Sequence, residues 1–341
     1  MKAALLRGPR QLEMADMDPP QPGPSQVLVR VRAGGICGSD VHAYRGSSAF
    51  QVYPAIPGHE TAGEVVEVGP EVSSLSVGDH VVLDPMLRCG HCYPCRVGRY
   101  NCCTSLRVMG VHTDGGFREY VAADQAQWHR VSPAVPFETA VLVEPLCVGA
   151  QAVSRGRVSA QDSVLILGAG TIGLAALLTA RQEGARVATL DLIPEKLAVA
   201  RALGAELTID PSQQDAAKVV LDWTGGEGPT VVIEAVGSPG TTRAALDYVG
   251  SAGRVVIVGI TSEEVPFPVP LMVRKELDIL ASRNSREQFG RVIPLVESGA
   301  VDPRPLVSHT LPFERLGDAL RLIQEQPRAT RKVLLSFVGS R

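Results

Sequence analysis

The sequence predicts an α/β protein in which a doubly wound parallel sheet is joined to a second, β-rich domain. The first 145 residues carry short strand-like segments broken by glycine and proline. The middle of the chain alternates apolar strand-like segments with helical ones, and a Gly-x-Gly-x-x-Gly turn at 168–173 follows the first of them. A chain of 341 residues is long for one hydrophobic core, so two domains are expected.

The β-rich part is indicated by segments of five or six residues that are apolar or alternate in polarity. Three of these segments end at turn signals, and they span 27–32, 63–68 and 79–83. Many short strands with frequent turns are typical of a barrel-like β domain, which we place at residues 1–145.

The doubly wound sheet is indicated by six further segments, which span 163–167, 186–190, 206–209, 230–234, 254–258 and 277–281. The first three helices between them are expected to end at Gly184, Gly204 and Gly225, because glycine readily adopts the left-handed conformation that closes a helix. Strands that alternate with helices in this way form a parallel sheet with helices on both faces. Beyond residue 290 the pattern predicts a helix and a last strand at 332–337.

Composition excludes several classes of partner. The net charge is −3 and no basic face is interleaved with aromatic residues, so neither nucleic acid nor an anionic membrane is an expected partner. No run of about eighteen apolar residues could span a bilayer, and the N-terminus lacks the apolar segment of a secretory signal. Seven cysteines, four of them clustered, fit a reducing compartment, so we expect the protein in the cytoplasm.

The four clustered cysteines are Cys89, Cys92, Cys95 and Cys103, separated by two, two and seven residues. Four thiolates this close can enclose one tetrahedral Zn²⁺ and leave no position for water or substrate, so the predicted zinc is structural. Cys102 is the alternative fourth ligand, although the spacing favours Cys103. The other interpretations of the cluster are a redox dithiol, a disulfide pair and an iron–sulfur cluster.

A dinucleotide site is predicted where an apolar strand turns into a helix. The turn comprises Gly168, Gly170, Thr171, Ile172 and Gly173. The first glycine permits the tight turn, the second lets the backbone approach a pyrophosphate, and the third allows close packing of helix and strand. The N–H groups at the start of the helix then face the phosphates.

Asp191 lies at the end of the next predicted strand, eighteen residues beyond Gly173. A carboxylate at this position accepts hydrogen bonds from ribose hydroxyls and repels a 2′-phosphate, and no arginine follows it immediately. The sequence therefore predicts NAD rather than NADP. The alternative is that Asp191 is a solvated strand end.

A second metal site is predicted from residues far apart in sequence, namely Cys37, His59, Glu60 and Glu144. A thiolate, an imidazole and a carboxylate suit Zn²⁺ and leave one position for water or substrate. Taken singly, these residues are as readily a buried thiol, a turn histidine and a carboxylate at a helix start. The prediction depends on their occurring together with the other motifs.

Taken together and in this order, the motifs resemble those of the zinc-dependent medium-chain dehydrogenase/reductase superfamily. They are Gly34-Gly-Ile-Cys37-Gly-Ser-Asp40, Gly58-His-Glu60, Cys89-Gly-His-Cys-Tyr-Pro-Cys95, Val143-Glu-Pro145 and Gly168-Ala-Gly-Thr-Ile-Gly173. The resemblance covers nearly the whole chain. It implies a GroES-like catalytic domain at 1–145, an NAD-binding Rossmann domain at 146–285, and a segment at 286–341 that returns to the catalytic domain.

The resemblance also implies the roles of the metal-site residues. Cys37 and His59 match catalytic zinc ligands. In the polyol-dehydrogenase branch Glu60 is the usual third ligand, and Glu144 then holds the metal-bound water or exchanges with Glu60. The sequence leaves open which carboxylate binds.

Three further positions match the family. Ser39 and His42 match a relay that passes the alcohol proton to solvent, and Lys196 matches a lysine that contacts the cofactor ribose. Histidine titrates near neutral pH, which suits the outer end of a relay. The alternatives are an exposed histidine at a helix start and a helix surface lysine.

The zinc loops look most like the bacterial branch that contains L-galactonate and L-gulonate 5-dehydrogenases, followed by sorbitol-type enzymes. Arg283 matches a substrate-side arginine that could clamp a sugar-acid carboxylate, orient Glu144 or hold structure. We therefore expect oxidation of a secondary alcohol of a polyol or aldonate with NAD. The alternatives are a threonine or simple secondary-alcohol dehydrogenase and a catalytically silent regulatory relative.

A homo-oligomer, dimer or tetramer, is expected through segment 254–260 if it lies near the sheet edge.

Overall fold

The computed structural model describes residues 1–48 and 50–337. Contacts divide the chain into two units, which are Met1–Glu144 together with the chain from Phe289 onward, and Pro145–Gln288. We call them the first and the second unit. The three domains at 1–145, 146–285 and 286–341 remain a prediction from the sequence, because the two units divide the chain by contacts alone.

The strands are β1 (Lys2–Gly8), β2 (Gln11–Asp16), β3 (Gln26–Ile36), β4 (Glu60–Val68), β5 (His80–Leu83), β6 (Met86–Leu87), β7 (Arg107–Val108), β8 (Tyr120–Asp124), β9 (Trp128–Arg130), β10 (Ser163–Leu167), β11 (Arg186–Leu190), β12 (Leu207–Ile209), β13 (Val231–Glu234), β14 (Arg254–Ile257), β15 (Asp278–Ala281), β16 (Val307–Pro312) and β17 (Lys332–Ser336). The α-helices are α1 (Gly38–Arg45), α2 (Tyr93–Arg96), α3 (Phe137–Ala140), α4 (Val143–Arg155), α5 (Thr171–Gln182), α6 (Pro194–Ala202), α7 (Ala216–Trp223), α8 (Pro239–Tyr248), α9 (Val269–Lys275), α10 (Phe289–Glu297) and α11 (Leu316–Glu325).

The first unit is built around a sheet in the order β16-β17-β3-β4-β5-β9, with β8 also paired to β3. β3 is the centre of this sheet, because β17, β4 and β8 all pair with it in antiparallel fashion. The alternating pattern of β3 buries Val27, Val29 and Val31 in the core of the unit. The predicted β-rich architecture is confirmed, and the last strand of the chain completes it.

The second unit contains six parallel strands in the order β12-β11-β10-β13-β14-β15. Helices connect them, so the predicted doubly wound sheet is confirmed. The helices α5, α6 and α7 end two residues before Gly184, Gly204 and Gly225, and each of these glycines has a positive φ. The helix ends were therefore placed correctly from glycine alone.

The segment 254–260, expected to support an oligomer if it lies near the sheet edge, is not itself an edge strand, and the oligomer stays a prediction. β14 lies between β13 and β15, and residues 258–260 fall outside it, so β12 and β15 are the edges of this sheet in the described chain. In residues 1–48 and 50–337, none of the helices combines the length and the apolar character needed to cross a bilayer.

Candidate functional site: two metal clusters and a dinucleotide turn

The four-cysteine cluster lies in the loop between β6 and β7. The sulfur atoms of Cys89, Cys92, Cys95 and Cys103 all lie within 4.8 Å of one another. The sulfur of Cys103 is 3.5 Å from that of Cys89 and 3.8 Å from that of Cys92. Zn–S bonds of about 2.3 Å in a tetrahedron place the sulfurs about 3.8 Å apart, so the four thiols fit one zinc ion.

The same distances argue against two of the alternatives for this cluster, the disulfide pair and the iron–sulfur cluster. A disulfide needs sulfurs about 2.0 Å apart, and all seven cysteines, each in the described part of the chain, are free thiols. A multi-iron cluster lies between its thiolates and holds them farther apart than a single ion does. Backbone N–H groups of His91 and Cys92 lower the pKa of Cys89 to about 5, which favours its thiolate, whereas burial raises the pKa of Cys95 to about 12.

A second cluster joins three residues of the first unit that the sequence separates. The ligand atoms of Cys37, His59 and Glu60 lie within 4.8 Å of one another, and His59 and Glu60 are buried. Cys37 follows the end of β3 and precedes α1, whereas Glu60 opens β4. Antiparallel pairing of β3 with β4 sets Glu60 opposite Gly35 and so brings the ends of the two strands together.

Gly35 provides the space that the Glu60 carboxylate occupies. A Cβ atom on Gly35 would lie 2.0 Å from Oε2 of Glu60, far inside any ordinary contact. The carboxylate therefore folds across β3 where a side chain is missing. Any other residue at position 35 would displace the carboxylate from the position it holds with Cys37 and His59.

Asp40 ties the two loops of this cluster together. Its Oδ2 accepts a hydrogen bond from the Cys37 N–H at 2.9 Å, and its Oδ1 accepts one from the Gly58 N–H at 3.3 Å. Oδ1 also lies 3.9 Å from Nδ1 of His59. This separation is too long for a hydrogen bond, so Asp40 acts on His59 through its charge. Asp40 is thus a neighbour of the cluster that the sequence analysis missed.

The buried charges act on one another strongly. Burial opposes protonation of His59, but the charges of Cys37 and Asp40 outweigh it and raise the pKa of His59 well above its usual value. Burial raises the pKa of Glu144 to about 7, although His59 opposes the shift. Ionisable groups therefore converge here in a water-poor environment, as they do at functional sites.

The two candidate carboxylates occupy different places. Glu60 belongs to the group with Cys37 and His59, whereas Glu144, buried in the first turn of α4, is outside that group. The charges of His59 and Glu60 still act on the pKa of Glu144. The geometry favours Glu60 as the third ligand and Glu144 as an outer carboxylate.

Lys332 is a second residue beside this cluster that the sequence analysis did not identify. Its Nζ donates to Oε1 of Glu60 at 2.6 Å and to Oε2 at 2.8 Å, with both side chains 2% exposed. The one available signal was a lysine that opens an otherwise apolar strand, Lys332–Ser336. Only the pairing of β17 with β3 shows that this lysine reaches Glu60.

The predicted dinucleotide turn joins β10 to α5 in the second unit, and α5 begins at Thr171 and includes Ile172. A Cβ on Gly173 would lie 1.8 Å from the Gly168 carbonyl oxygen, so only glycine permits this close approach. A Cβ on Gly170 would meet no described atom within 4 Å. The open space at Gly170 and the free N–H groups of the first helical turn fit a pyrophosphate.

Asp191 lies at the carboxyl end of β11, beside this turn. Its Oδ2 accepts a hydrogen bond from the Ala169 N–H at 2.7 Å, and its Oδ1 accepts one from the Ile193 N–H at 2.9 Å. Each oxygen keeps a lone pair that could accept a ribose hydroxyl. Asp191 thus holds the turn as well as offering acceptors, a double role that the sequence did not predict. Lys196 lies half-buried in the first turn of α6.

The remaining predicted residues are exposed. Ser39 and His42 lie on α1, directly after Cys37, and Nδ1 of His42 is 3.0 Å from Oγ of Ser47. Arg283 lies in the second unit, two residues beyond β15. Their roles stay predictions.

Two family models match the chain. The alcohol dehydrogenase GroES-like domain matches residues 23–133, and the zinc-binding dehydrogenase family matches residues 171–298. The starvation-sensing protein RspB of Escherichia coli K12 is 37% identical over 99% of both chains. L-galactonate-5-dehydrogenase of the same strain is 34% identical over 93% of this chain and 94% of its own.

Solved structures agree with these relatives. The crystal structure of an alcohol dehydrogenase, rspB, of Escherichia coli CFT073 in complex with NADH has a TM-score of 0.94 and 36% identity, covering 99% of both chains. One family therefore accounts for the β-rich first unit and the parallel sheet of the second unit, and for the zinc motifs and the dinucleotide motif. The chain belongs to the zinc-binding dehydrogenases of the medium-chain dehydrogenase/reductase superfamily, which are oxidoreductases of the alcohol and polyol dehydrogenase type.

Proposed function

We propose that the protein oxidises a secondary alcohol of a polyol or sugar acid to the ketone with NAD⁺. The observation that carries the proposal is the group of half-buried Cys37 with buried His59 and Glu60, which offers a thiolate, an imidazole and a carboxylate within 4.8 Å. A set of three such ligands is typical of catalytic zinc, which keeps a position open for substrate. The glycine turn and Asp191 supply the matching cofactor site.

In this proposal the two clusters have different tasks. Cys89, Cys92, Cys95 and Cys103 hold a structural zinc, because four thiolates leave no open position. Cys37, His59 and Glu60 hold the catalytic zinc, with Glu144 as an outer carboxylate. When bound, zinc acts as a Lewis acid on the substrate hydroxyl and NAD⁺ accepts the hydride.

The chain's own residues prepare this chemistry. Asp40 accepts a hydrogen bond from the Cys37 N–H, so the Cys37 backbone is held before any substrate arrives, and its carboxylate lies 3.9 Å from Nδ1 of His59. Ser39 and His42 follow Cys37 on α1, and we propose that they carry the alcohol proton towards solvent. The exposure of His42 and its proximity to Ser47 support that role.

Cofactor choice is assigned to Asp191 and Lys196. The Asp191 carboxylate accepts two backbone hydrogen bonds and keeps acceptor capacity for ribose hydroxyls, while its charge opposes a 2′-phosphate. Lys196, at the start of the next helix, is proposed to contact the ribose. The rspB structure with NADH supports the same choice.

The substrate class is proposed from the relatives and from Arg283. An L-galactonate dehydrogenase is among the relatives, and a guanidinium can clamp a carboxylate with paired hydrogen bonds.

The seven free thiols support the cytoplasm as the compartment. The expected dimer or tetramer stays a proposal of the sequence analysis.

The substrate panel that tests this proposal contains aldonates, neutral polyols, L-threonine and simple secondary alcohols, each assayed for NADH formation. We expect kcat/KM to be highest with an aldonate or a polyol. Cys37→Ser should abolish the activity, whereas Cys147→Ala, which alters a buried thiol outside both clusters, should retain it. A preference for threonine or for a simple alcohol would contradict the proposed substrate class, and activity in Cys37→Ser would contradict the proposed site.

A further inference from the structure

Lys332 is a buried cation beside a proposed zinc ligand, and the proposed reaction does not use it. Its Nζ donates to both oxygens of Glu60 and, at 3.1 Å, to the carbonyl oxygen of Ile36. An ammonium group has three protons, so these three acceptors occupy all of them. Lys332 therefore has no donor left for a substrate and can act only through Glu60.

The sheet of the first unit brings this pair together across β3. Lys332 is the first residue of β17 and Glu60 is the first residue of β4, and these strands pair with opposite edges of β3 near its end. Because Gly35 has no side chain, the Glu60 carboxylate can lie across β3 and reach Lys332. The ion pair is thus a consequence of the strand register.

Glu60 can serve two cations at once. Each carboxylate oxygen has two lone pairs, and Lys332 uses one on each oxygen. The other lone pairs remain for a metal held with Cys37 and His59. Lys332 and such a metal are then two positive charges on one carboxylate, and they repel each other strongly because the site is buried.

We propose that Lys332 is a positioning residue that shares the Glu60 carboxylate with the catalytic zinc and so weakens the hold of Glu60 on that zinc. The inference rests on the proposed function, because it takes zinc to bind at Cys37, His59 and Glu60. With a more weakly donating third ligand, a zinc ion at this site would be a stronger Lewis acid towards the substrate oxygen.

The sign of the effect follows from a thermodynamic cycle. Without Lys332 and without zinc, Glu60 is a buried charge that lacks a partner, which is strongly unfavourable. Zinc would then supply the missing cation. Removing Lys332 therefore destabilises the metal-free protein more than the zinc-bound protein, and zinc binds more tightly. A lysine that merely supported the shape of the zinc site would have the opposite effect.

The test measures zinc affinity by chelator competition in the full-length protein. In Lys332→Met we expect the dissociation constant of the catalytic zinc to fall by about tenfold to a hundredfold. Lys332→Arg keeps the charge and should bind zinc as the unaltered protein does. The zinc in the four-cysteine cluster is the internal control and should not change. With Co²⁺ in place of zinc, the visible absorption spectrum should change in Lys332→Met and not in Lys332→Arg.

A double-mutant cycle isolates the shared carboxylate. In Glu60→Gln, adding Lys332→Met should leave the zinc affinity unchanged. If Lys332→Met does not fold without metal, refolding with zinc should recover it, and failure to recover would overturn the inference. Unchanged or weaker zinc binding in Lys332→Met overturns the inference alone. An unaltered protein that holds zinc only in the four-cysteine cluster overturns the proposed function as well.

Discussion

Gly35→Ala tests how the strand register builds the Cys37–His59–Glu60 cluster. The added Cβ would lie 2.0 Å from Oε2 of Glu60, 3.0 Å from its Cδ and 3.1 Å from its Cβ. Because unstrained contacts of this kind are about 3.4 Å or longer, the carboxylate oxygen must retreat by about 1.4 Å. The 2.6 and 2.8 Å hydrogen bonds from Lys332 do not tolerate a shift of that size.

The magnitude follows from the buried ion pair. Breaking such a pair outright costs about 3–5 kcal/mol, and Lys332 can follow the displaced carboxylate in part, so we expect a loss of about 2–4 kcal/mol in the free energy of unfolding. Alanine also restricts the unfolded chain, which offsets the loss by about 0.4–1 kcal/mol. The catalytic zinc should bind more weakly as well, because the Glu60 carboxylate leaves the position in which it is grouped with Cys37 and His59.

Gly34→Ala is the matched control. It introduces the same methyl group on the adjacent residue of β3, but its nearest neighbour is an edge atom of Phe117 at 3.2 Å. The entropic contribution of alanine is the same in both variants, so their difference isolates the clash with Glu60. Urea unfolding and chelator competition measure the two effects. If the variants differ by less than about 1 kcal/mol in unfolding free energy, Gly35 does not make room for the carboxylate and the reasoning is wrong.

Three further predictions concern the other parts of the site. Cys92→Ser should reduce bound zinc from two ions to one per chain and lower the urea midpoint, whereas Cys102→Ser should keep both ions; equal zinc content in the two variants would refute the four-cysteine assignment. Asp191→Asn removes the charge but keeps one acceptor oxygen, so the ratio of kcat/KM for NADP⁺ to that for NAD⁺ should rise. An unaltered protein that prefers NADP⁺ would contradict the role given to Asp191. Arg283→Ala should lower kcat/KM about a hundredfold for an aldonate and much less for a neutral polyol. Equal losses on both substrates would show that Arg283 does not bind the carboxylate.

Much of the fold was predictable from local pattern. The six strands of the second unit are short apolar segments between helices, and their periodicity and flanking glycines place them within a residue or so at each end. The four-cysteine cluster was equally accessible, because its ligands come from fifteen consecutive residues, 89–103, with a spacing that few other structures require.

The sequence did not predict which residues become partners when strands pair and loops pack. Lys332 and Glu60 are 272 residues apart and meet only because β17 and β4 flank β3. Asp40 was quoted as part of a motif, but its bonds to the Cys37 and Gly58 backbone depend on the packing of two loops. The sequence also left open whether segment 254–260 lies at a sheet edge, since strand order is a property of the assembled sheet.

The central claim is tested most directly by following NADH formation before and after the catalytic zinc is removed. Purified protein should form NADH with NAD⁺ and an aldonate or polyol, lose this activity when a chelator takes the zinc at Cys37, His59 and Glu60, and regain it when zinc is returned. The zinc in the four-cysteine cluster should stay bound throughout. Alcohol oxidation that persists after the zinc at Cys37, His59 and Glu60 has been removed would contradict the account.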